Sequence, residues 1–495
     1  MPEKAFAYRQ SILSQLFEIS HFRTLQNIFV AVLVCWAVNT AVNDALSADD
    51  WKAAIPDLEM LSWTFRDFHV VVIEWTKLFI CSIAIYPLFQ LWVFCRETVS
   101  CKSKQRIVDI LAFGLCVMFE FFFVVVPCQR VLMEKGLAVG CACVFACEQT
   151  RLLMKIHAFV RENTRRVLAS DQAATKERGN SLVQEIDKLS ETIDSSDGEL
   201  RRRKTNSTNI TEGSTNENVT SSPPKSGYTR NFSKYLYFLF APTLVYRDNY
   251  PRTNHINWWF VFSNFAQFLL CVMYSYYLLY RYVMPEVHAL ASSTEFSLKL
   301  FIVCWTRCAG PGLLLFLVAH FGFLHSWLNA FAEMLRFADR EFYKDWWNAV
   351  SFSAYYRDWN RVVHDWLYTY VYTDILRVFG KQSKIIAALS VFALSCFFHQ
   401  YIIVCSMKFY LPFFEFSMFI TGLLSVFVTP KSSHRNRPLN VAMWVAMIFG
   451  NGLMICLYTM EWAARGRYET AFPSDSIADF FLPRCLFYVK HNASA

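Results

Sequence analysis

The sequence has few charged residues, few glycines and few prolines for its length. Only 18% of its 495 residues are Asp, Glu, Lys or Arg, whereas an ordinary soluble domain is roughly 25% charged. Gly and Pro number 15 each, too few for collagen or a low-complexity linker. Because 55% of the residues are hydrophobic, disorder of the whole chain is excluded as well. Lipid is expected to be the solvent for much of the chain.

Several common functional signatures are absent. The 16 cysteines include no CxxC pair, so the sequence indicates neither a zinc site nor a disulfide framework, and we expect no metal. G-x-S-x-G, P-loop and H-E-x-x-H motifs are missing too, which removes the usual routes to serine hydrolysis, ATP-driven transport and zinc proteolysis. A net charge of +8 is modest for this length and gives no reason to expect nucleic acid as a partner.

Long apolar runs dominate what is present. A helix needs about 20 apolar residues to span the hydrocarbon core of a bilayer, and nine runs approach that length. No cleavable signal peptide is recognised in residues 1–20, which lack an apolar core followed by a small-residue cleavage site. We therefore predict an all-α polytopic membrane protein with about nine transmembrane helices, at residues 25–45, 69–94, 107–127, 137–157, 258–280, 296–320, 385–405, 411–428 and 440–460.

The charges of the short loops predict the orientation of the chain. Basic residues occupy the loops between spans two and three and between spans eight and nine, at Arg96, Lys102, Lys104, Arg106, Lys431, Arg435 and Arg437. Lys and Arg mark cytoplasmic loops, and the loops after the first and fifth spans are acidic instead. We expect a cytoplasmic N-terminus and, with an odd number of spans, a luminal C-terminus.

A polar segment interrupts the spans. No aromatic residue occurs between Val160 and Gly227, so this segment cannot bury a core, and we expect a largely disordered cytoplasmic loop. A short amphipathic helix around residues 182–193 is the alternative. The chain then divides into a cytoplasmic segment 1–22, a group of four spans in 23–159, the loop 160–230, and a core of five spans with interfacial helices in 231–495.

One histidine lies in the middle of an apolar run. His399 stands in the segment ALSCFFHQYII, near the centre of the seventh predicted span. Ionisable side chains at that depth are costly and commonly functional. A neutral histidine bonded to a neighbouring helix is an equally good interpretation of this residue alone.

An aromatic segment with embedded polar residues follows the sixth span. Residues 335–372 combine Asp, Arg and Lys with a high density of Trp and Tyr, which are suited to a membrane interface. An aromatic belt accounts for most of these rings but not for Asn348, Asn360 and His364 among them. Short polar groups fixed by packed aromatic rings are typical of a substrate site.

These residues carry a family resemblance. FYKDWWN at 342–348 resembles the FYxDWWN signature of the sterol and diacylglycerol branches of the membrane-bound O-acyltransferases, and His399 matches the position of that superfamily's catalytic histidine. The surrounding sequence resembles the sterol O-acyltransferases from about residue 15 to the C-terminus, in HFRT at 21–24, EQTRLLMKIHAFVREN at 148–163, YLYFLFAPTLVYRDNYPR at 235–252 and YYRDWNRVVHDWL at 355–367. The motif residues are Phe342, Tyr343, Asp345, Trp346, Trp347 and Asn348.

The resemblance implies an enzyme of the endoplasmic reticulum membrane that esterifies the hydroxyl of a sterol such as cholesterol with the acyl group of a long-chain acyl-CoA. The acyl-CoA is a co-substrate, and no cofactor is implied. His399 is implied as the general base, with Asn360 beside it, Trp359 bordering the thioester and Ser395 near the histidine. The implied coenzyme A contacts are Tyr356, Arg357, His364, Tyr372 and Lys384.

Three departures from the family pattern bear on these expectations. Gln400 follows the histidine where both branches usually have Glu, so a role for that carboxylate is absent. Cys485 alone remains of the luminal cysteine pair expected near the C-terminus. The N-terminal extension associated with tetramers is not found, so a homodimer is expected, with a dimer of dimers as the alternative.

Other functions remain open from the sequence. A diacylglycerol O-acyltransferase is the nearest alternative, because it shares the signature. A non-catalytic transporter or sterol sensor would use the intramembrane polar residues to line a pathway, although no internal repeat of the kind that many transporters show is present. An acyl-enzyme route through Cys396 or Cys405 is a further mechanistic alternative.

Overall fold

Helices make up nearly all of the regular secondary structure in the residues that the structure describes. The computed structural model describes residues 4–48, 58–198, 231–291, 297–427, 436–467 and 477–485. Its α-helices are α1 Ile12–Glu18, α2 Ser20–Ala48, α3 Glu59–Thr64, α4 Phe68–Thr98, α5 Lys102–Pro127, α6 Val139–Gly198, α7 Phe232–Phe240, α8 Trp258–Leu278, α9 Met284–Ala291, α10 Leu298–Ala319, α11 Leu328–Met334, α12 Phe352–Trp359, α13 Arg361–Trp366, α14 Thr373–Phe379, α15 Lys384–Met407, α16 Phe413–Phe427, α17 Arg437–Arg467 and α18 Ile477–Phe481. In these residues β-pairing is limited to two isolated bridges. The predicted all-α fold is confirmed.

Four of these helices continue through π-helical segments. The segments are Cys128–Glu134 after α5, Leu279–Val283 after α8, His320–Trp327 after α10 and Leu367–Tyr372 after α13. A π-helical turn contains one extra residue, widens the helix and is frequent at functional sites. The segments after α10 and α13 both contribute to the site described below.

Seven stretches of helix are long and apolar enough to cross a membrane: Ser20–Ser47, Glu59–Thr98, Lys102–Glu134, Trp258–Leu290, Leu298–Met334, Lys384–Met407 and Arg437–Gly466. Seven of the nine predicted spans coincide with them. The predicted span 411–428 falls on the shorter helix α16. The predicted span 137–157 forms the start of α6, where Glu148, Arg151 and Lys155 make the helix more polar. Among the described residues, seven stretches thus meet the length and composition of a span, and the predicted polytopic membrane protein is confirmed.

The outer surfaces of the bundle are apolar. On α5, Ile110 and Phe113 are 70% and 71% exposed, and α2 exposes apolar side chains such as Leu25 and Val32. Apolar surface on this scale marks contact with a membrane or a partner rather than with water. These side chains are therefore positioned to face lipid.

Helix α6 is longer than the sequence predicted. It extends over Val139–Gly198, so the expectation of disorder is wrong for residues 160–198, and residues 199–230 lie outside the described residues. Ala, Glu, Gln, Arg and Leu are frequent in this stretch, and they are good helix formers. Nearer its start, Lys155 is buried and donates to the main-chain oxygens of Phe238 and Ala241. Helix α6 thereby anchors α7 and contributes many residues to the largest core.

Helices α10 and α17 pack closely because small residues face each other. A Cβ atom added to Gly452 would lie 2.6 Å from the Cα atom of Ala309, and one added to Gly312 would lie 3.1 Å from Cα of Gly452. Small residues permit such close approach between membrane helices. Both helices also contact the FYKDWWN segment. Their packing therefore sets the position of this segment, which supports the candidate site.

Candidate active site

The FYKDWWN segment is a joint between helices, and several of its aromatic side chains are buried. Phe342, Tyr343 and Trp346 are each at most 2% exposed. The Tyr343 hydroxyl lies 2.7 Å from Nδ1 of His325, and the indole N–H of Trp346 donates to Nε2 of His320 at 3.1 Å. Both histidines belong to the π-helical segment after α10. The first half of the motif is therefore hydrogen-bonded to the continuation of that helix.

The second half of the motif is bonded to α17 through its main chain. The carbonyl oxygen of Trp347 accepts a hydrogen bond from Nδ2 of Asn440 at 3.0 Å, and the same amide donates to the carbonyl oxygen of Ala349 at 2.8 Å. Asn348 is exposed, and its amide lies 3.5 Å from the Asp345 carboxylate. The motif thus joins α10 and α17 and supports the residues that follow it.

The joint supports an aromatic box around Trp359. The Trp359 ring stacks on Phe316, with centroids 4.2 Å apart and planes inclined by 13°. It meets Trp346 edge to face at 4.7 Å, and the His320 ring lies 4.2 Å away. These contacts hold Trp359 from three directions and restrict its rotamers. Sequence reasoning missed His320, because its packing partners are distant in the sequence.

Asn360 begins helix α13. Its side-chain oxygen accepts a hydrogen bond from the N–H of Val363 at 3.1 Å, and its backbone is extended, which is the usual arrangement of an N-cap residue. Because the cap uses the amide oxygen, the NH2 group is the end of the side chain that can bond a substrate. The cap fixes Asn360 at the corner between α12 and α13.

His399 lies on α15 one turn after Ser395. Its Nδ1 atom is 2.7 Å from the main-chain oxygen of Ser395. A carbonyl oxygen only accepts hydrogen bonds, so in the neutral ring Nδ1 carries the proton and Nε2 holds the free lone pair. The ring is exposed rather than packed on all sides, and Phe414 lies against it with centroids 5.3 Å apart. The geometry presents a nitrogen that can accept a proton.

The neighbours of His399 on α15 are turned into the bundle. Gln400 is 6% exposed and donates to a main-chain oxygen at 3.3 Å. Cys396 and Cys405 are 2% and 1% exposed, and the sulfur of Cys405 lies 3.6 Å from that of Cys128. Reactive cysteines are partly exposed, so this placement disfavours an acyl-cysteine route. Within the part of the chain that the structure describes, no group of three or more His, Cys, Asp or Glu side chains is arranged to hold a metal.

Two of the predicted coenzyme A contacts lie on α12. The hydroxyl of Tyr356 is 2.6 Å from that of Thr421 on α16, and its ring contacts Phe392 of α15 at 5.8 Å. Burial raises the pKa of this hydroxyl. Arg357 forms a two-point ion pair with Asp358 at 2.9 and 3.2 Å. Tyr356 therefore connects α12 to both α15 and α16. To bind a phosphate, Arg357 must either contact the phosphate and Asp358 together or release Asp358.

Two further predicted contacts belong to one stack of rings. His364 and Tyr368 have centroids 6.3 Å apart, Tyr368 and Tyr372 are 5.4 Å apart, and the planes are inclined by only 10° and 18°. Residues four apart share one face of a helix, so the i+4 spacing of Tyr368 could have identified it from the sequence. Lys384 is exposed at the start of α15. The roles of all these residues stay predictions.

Comparisons with known proteins point to the same family as the motifs. The profile described as MBOAT, membrane-bound O-acyltransferase family, matches residues 142–460. Sterol O-acyltransferase 1 of Mus musculus is 36% identical over 485 residues, which cover 97% of this chain and 78% of the relative. Sterol O-acyltransferase 2 of Homo sapiens is 34% identical over 465 residues, which cover 94% and 76%. The resemblance inferred from the sequence is confirmed.

Proposed function

The chain belongs to the membrane-bound O-acyltransferase family, and from this premise we propose that it esterifies the 3-hydroxyl of a sterol, such as cholesterol, with the acyl group of a long-chain acyl-CoA. Relatives at 34% to 36% identity over nearly the whole chain are sterol O-acyltransferases, which favours the sterol over diacylglycerol as acceptor. The products are a sterol ester and free coenzyme A.

The hydrogen bond that sets the tautomer of His399 is the observation that carries the mechanism. With the Nδ1 proton donated to the oxygen of Ser395, Nε2 accepts the proton of the sterol hydroxyl as its oxygen attacks the thioester carbon. The C–O bond forms, the C–S bond breaks, and the imidazolium returns the proton to the departing thiolate. General base catalysis of this kind is typically worth about 10²- to 10⁴-fold.

Asn360 is the proposed donor to the thioester oxygen, on which negative charge develops during attack. Its capping bond to Val363 fixes the amide before substrate arrives, and the packed ring of Trp359 precedes it on α12. A donor held in place in this way contributes more in the transition state than one that must reorganise.

The substrates explain why the site lies across a membrane surface. Burying an acyl chain contributes about 0.8 kcal/mol per CH₂, so the chain partitions into lipid while coenzyme A stays in water. Helix α15 begins at exposed Lys384 and carries His399 about two-thirds of the way along its length. We place coenzyme A along His364, Tyr372 and Lys384, beside Tyr356 and Arg357, with the thioester reaching inward to His399.

The location and assembly are part of the same proposal. We place the protein in the endoplasmic reticulum membrane as a homodimer or a dimer of dimers, with its N-terminus cytoplasmic and its C-terminus luminal. Arg96 at the end of α4, Lys102, Lys104 and Arg106 at the start of α5, and Arg437 at the start of α17 support this orientation. Glycosylation sites introduced before α1 and after α18 test it: modification of only the C-terminal site is expected, and modification of only the N-terminal site would invert the topology.

The acceptor is tested in membranes that contain the protein and labelled oleoyl-CoA, supplied with either cholesterol or diacylglycerol. Sterol ester is the expected main product. Exclusive formation of triacylglycerol would assign the chain to the diacylglycerol branch instead. Formation of ester by the purified protein would exclude a transporter or a sterol sensor without catalytic activity.

The proposed base is tested by His399→Ala. Activity should fall at least about 10²-fold, the lower limit of a general base contribution, at an unchanged protein level. His69→Ala, at an exposed histidine near the start of α4, is the matched control and should retain activity. Full activity of His399→Ala would remove the base from the mechanism.

A further inference from the structure

An N-terminal strap, residues 4–11, lies across the segment that leads into the FYKDWWN motif. The N–H of Arg9 donates to the oxygen of Ala338, and the N–H of Arg340 donates to the oxygen of Arg9, both at 2.9 Å. Phe6 packs edge to face on Tyr250 at 5.0 Å. The strap is therefore joined to the core by main-chain pairing as well as by side chains.

Lys4 and Arg9 of the strap form ion pairs with carboxylates in residues 339–365, the segment that contains the motif and α13. Nζ of Lys4 lies 2.9 Å from Oδ2 of Asp365 and 3.9 Å from Oδ2 of Asp339. Arg9 contacts Asp339 at 3.2 Å and Glu341 at 2.8 Å. The side chains of Lys4 and Asp365 are only 13% and 10% exposed. A pair so shielded from water couples its partners more strongly than a surface salt bridge does.

Asp365 connects this pair to the proposed coenzyme A site. Its Oδ1 atom lies 3.5 Å from Nδ1 of His364 and 3.1 Å from Nη2 of Arg361. Burial by itself raises the pKa of the Asp365 carboxyl, but its contacts with His364, Lys4 and Arg361 outweigh burial and hold the pKa below its ordinary value. The ionised carboxylate accepts from the Nδ1–H of His364, so Nε2 donates to a phosphate oxygen when the ring is doubly protonated and is an acceptor when the ring is neutral.

The helix that bears His364 depends on such contacts. Helix α13 is the six-residue first part of a helix that continues through Leu367–Tyr372 into α14, and the N–H groups of its first turn have no partner inside the helix. Its first N–H, from Arg361, donates to the oxygen of Phe342 at 2.8 Å, and the Lys4–Asp365 pair holds it one turn later. Asn360 caps the same helix, and this cap and the Arg361–Phe342 bond hold the end near Asn360 without Lys4, so loss of Lys4 should displace mainly His364.

We propose that Lys4 is a positioning residue for acyl-CoA: through Asp365 it holds α13 so that His364 and the ring stack behind it meet the coenzyme. The proposal rests on the acyl transfer function proposed above. Lys4 acts through another side chain rather than on the substrate. Its loss should therefore weaken acyl-CoA binding more than it slows transfer at saturation.

The kinetic test compares Lys4→Met, Lys4→Arg and Asp365→Asn in the full chain. Lys4→Met should raise KM for oleoyl-CoA about 3- to 10-fold, as expected for loss of a partly shielded ion pair that leaves Arg361 on the carboxylate. KM for cholesterol and kcat should change less than about twofold, because those steps do not use the strap. Lys4→Arg should restore the KM. Lys77→Met, at an exposed lysine whose partner Glu74 keeps a second cation in Lys135, is the control.

Binding is separated from turnover by measuring oleoyl-CoA binding to purified protein in the His399→Ala background, with and without Lys4→Met. Weaker binding with Lys4→Met supports the proposal even if the acceptor proves not to be a sterol. An unchanged Kd and KM, with only the yield or thermal stability reduced, would make the strap purely structural. Lys4→Met combined with Asp365→Asn should be no worse than Asp365→Asn alone, and additive effects would overturn the coupling. Failure of the unmodified chain to bind oleoyl-CoA would reject the proposed function itself.

Discussion

Trp346→Phe tests whether the FYKDWWN motif supports the site through its bond to His320. The substitution keeps an aromatic ring in the buried position but removes the indole N–H, which donates to Nε2 of His320 at 3.1 Å. His320 is only 4% exposed, so water has little access to replace the lost donor. The ring of Trp359, 4.7 Å from that of Trp346, loses part of its packing at the same time.

The magnitude follows from two contributions. A buried polar atom left without its partner costs about 1–3 kcal/mol. The smaller ring leaves a gap in a packed core, which adds about 1–2 kcal/mol, at the low end for large-to-small substitutions because most of the ring remains. The sum, about 2–5 kcal/mol, is a large share of the roughly 5–15 kcal/mol by which folded proteins are stabilised. Stability and activity should fall together, because the box around Trp359 loosens.

The assay is thermal denaturation of the purified protein in detergent, read as loss of the monodisperse peak in size-exclusion chromatography, together with sterol ester formation in membranes. Trp347→Phe is the matched control, since Trp347 is bonded to α17 through its main-chain oxygen, which the substitution keeps. Trp346→Phe should denature at a clearly lower temperature than this control. Equal denaturation temperatures and equal activities would refute the reasoning.

Four other substitutions separate roles that the structure assigns to single groups. Asn360→Asp keeps an oxygen for the helix cap but loses the NH2 donor, so ester formation should slow about 10²- to 10³-fold in a folded protein; an unchanged rate would exclude the donor role. Cys396→Ser and Cys405→Ser should both retain turnover with oleoyl-CoA and cholesterol, and its loss would favour an acyl-cysteine route. Gly452→Leu should reduce the yield of monodisperse protein because its Cβ would lie 2.6 Å from α10, whereas Gly450→Leu, whose Cβ meets nothing within 4 Å, should not; equal yields would contradict this packing.

Local properties of the sequence were sufficient for the class of protein and for most of its spans. Length and apolarity are readable within a window of about 20 residues, and seven of the nine predicted spans coincide with spanning helices. The span predicted at 137–157 illustrates the limit of this approach. Its polar residues Gln149 and Lys155 are buried against protein, and such compensation depends on neighbours that are distant in the sequence.

The sequence by itself determined the all-α membrane fold, the family and the candidates His399 and Asn360, because composition, periodicity and a seven-residue motif are all local. Only the tertiary structure decided that this motif is a buried joint, that His320 packs on Trp359, and that Lys4 reaches Asp365. The physical reason is that hydrogen bonds and ion pairs between distant residues depend on how the helices pack. The tautomer of His399 is likewise set by a bond to a main-chain oxygen, which no side-chain pattern in the sequence reveals.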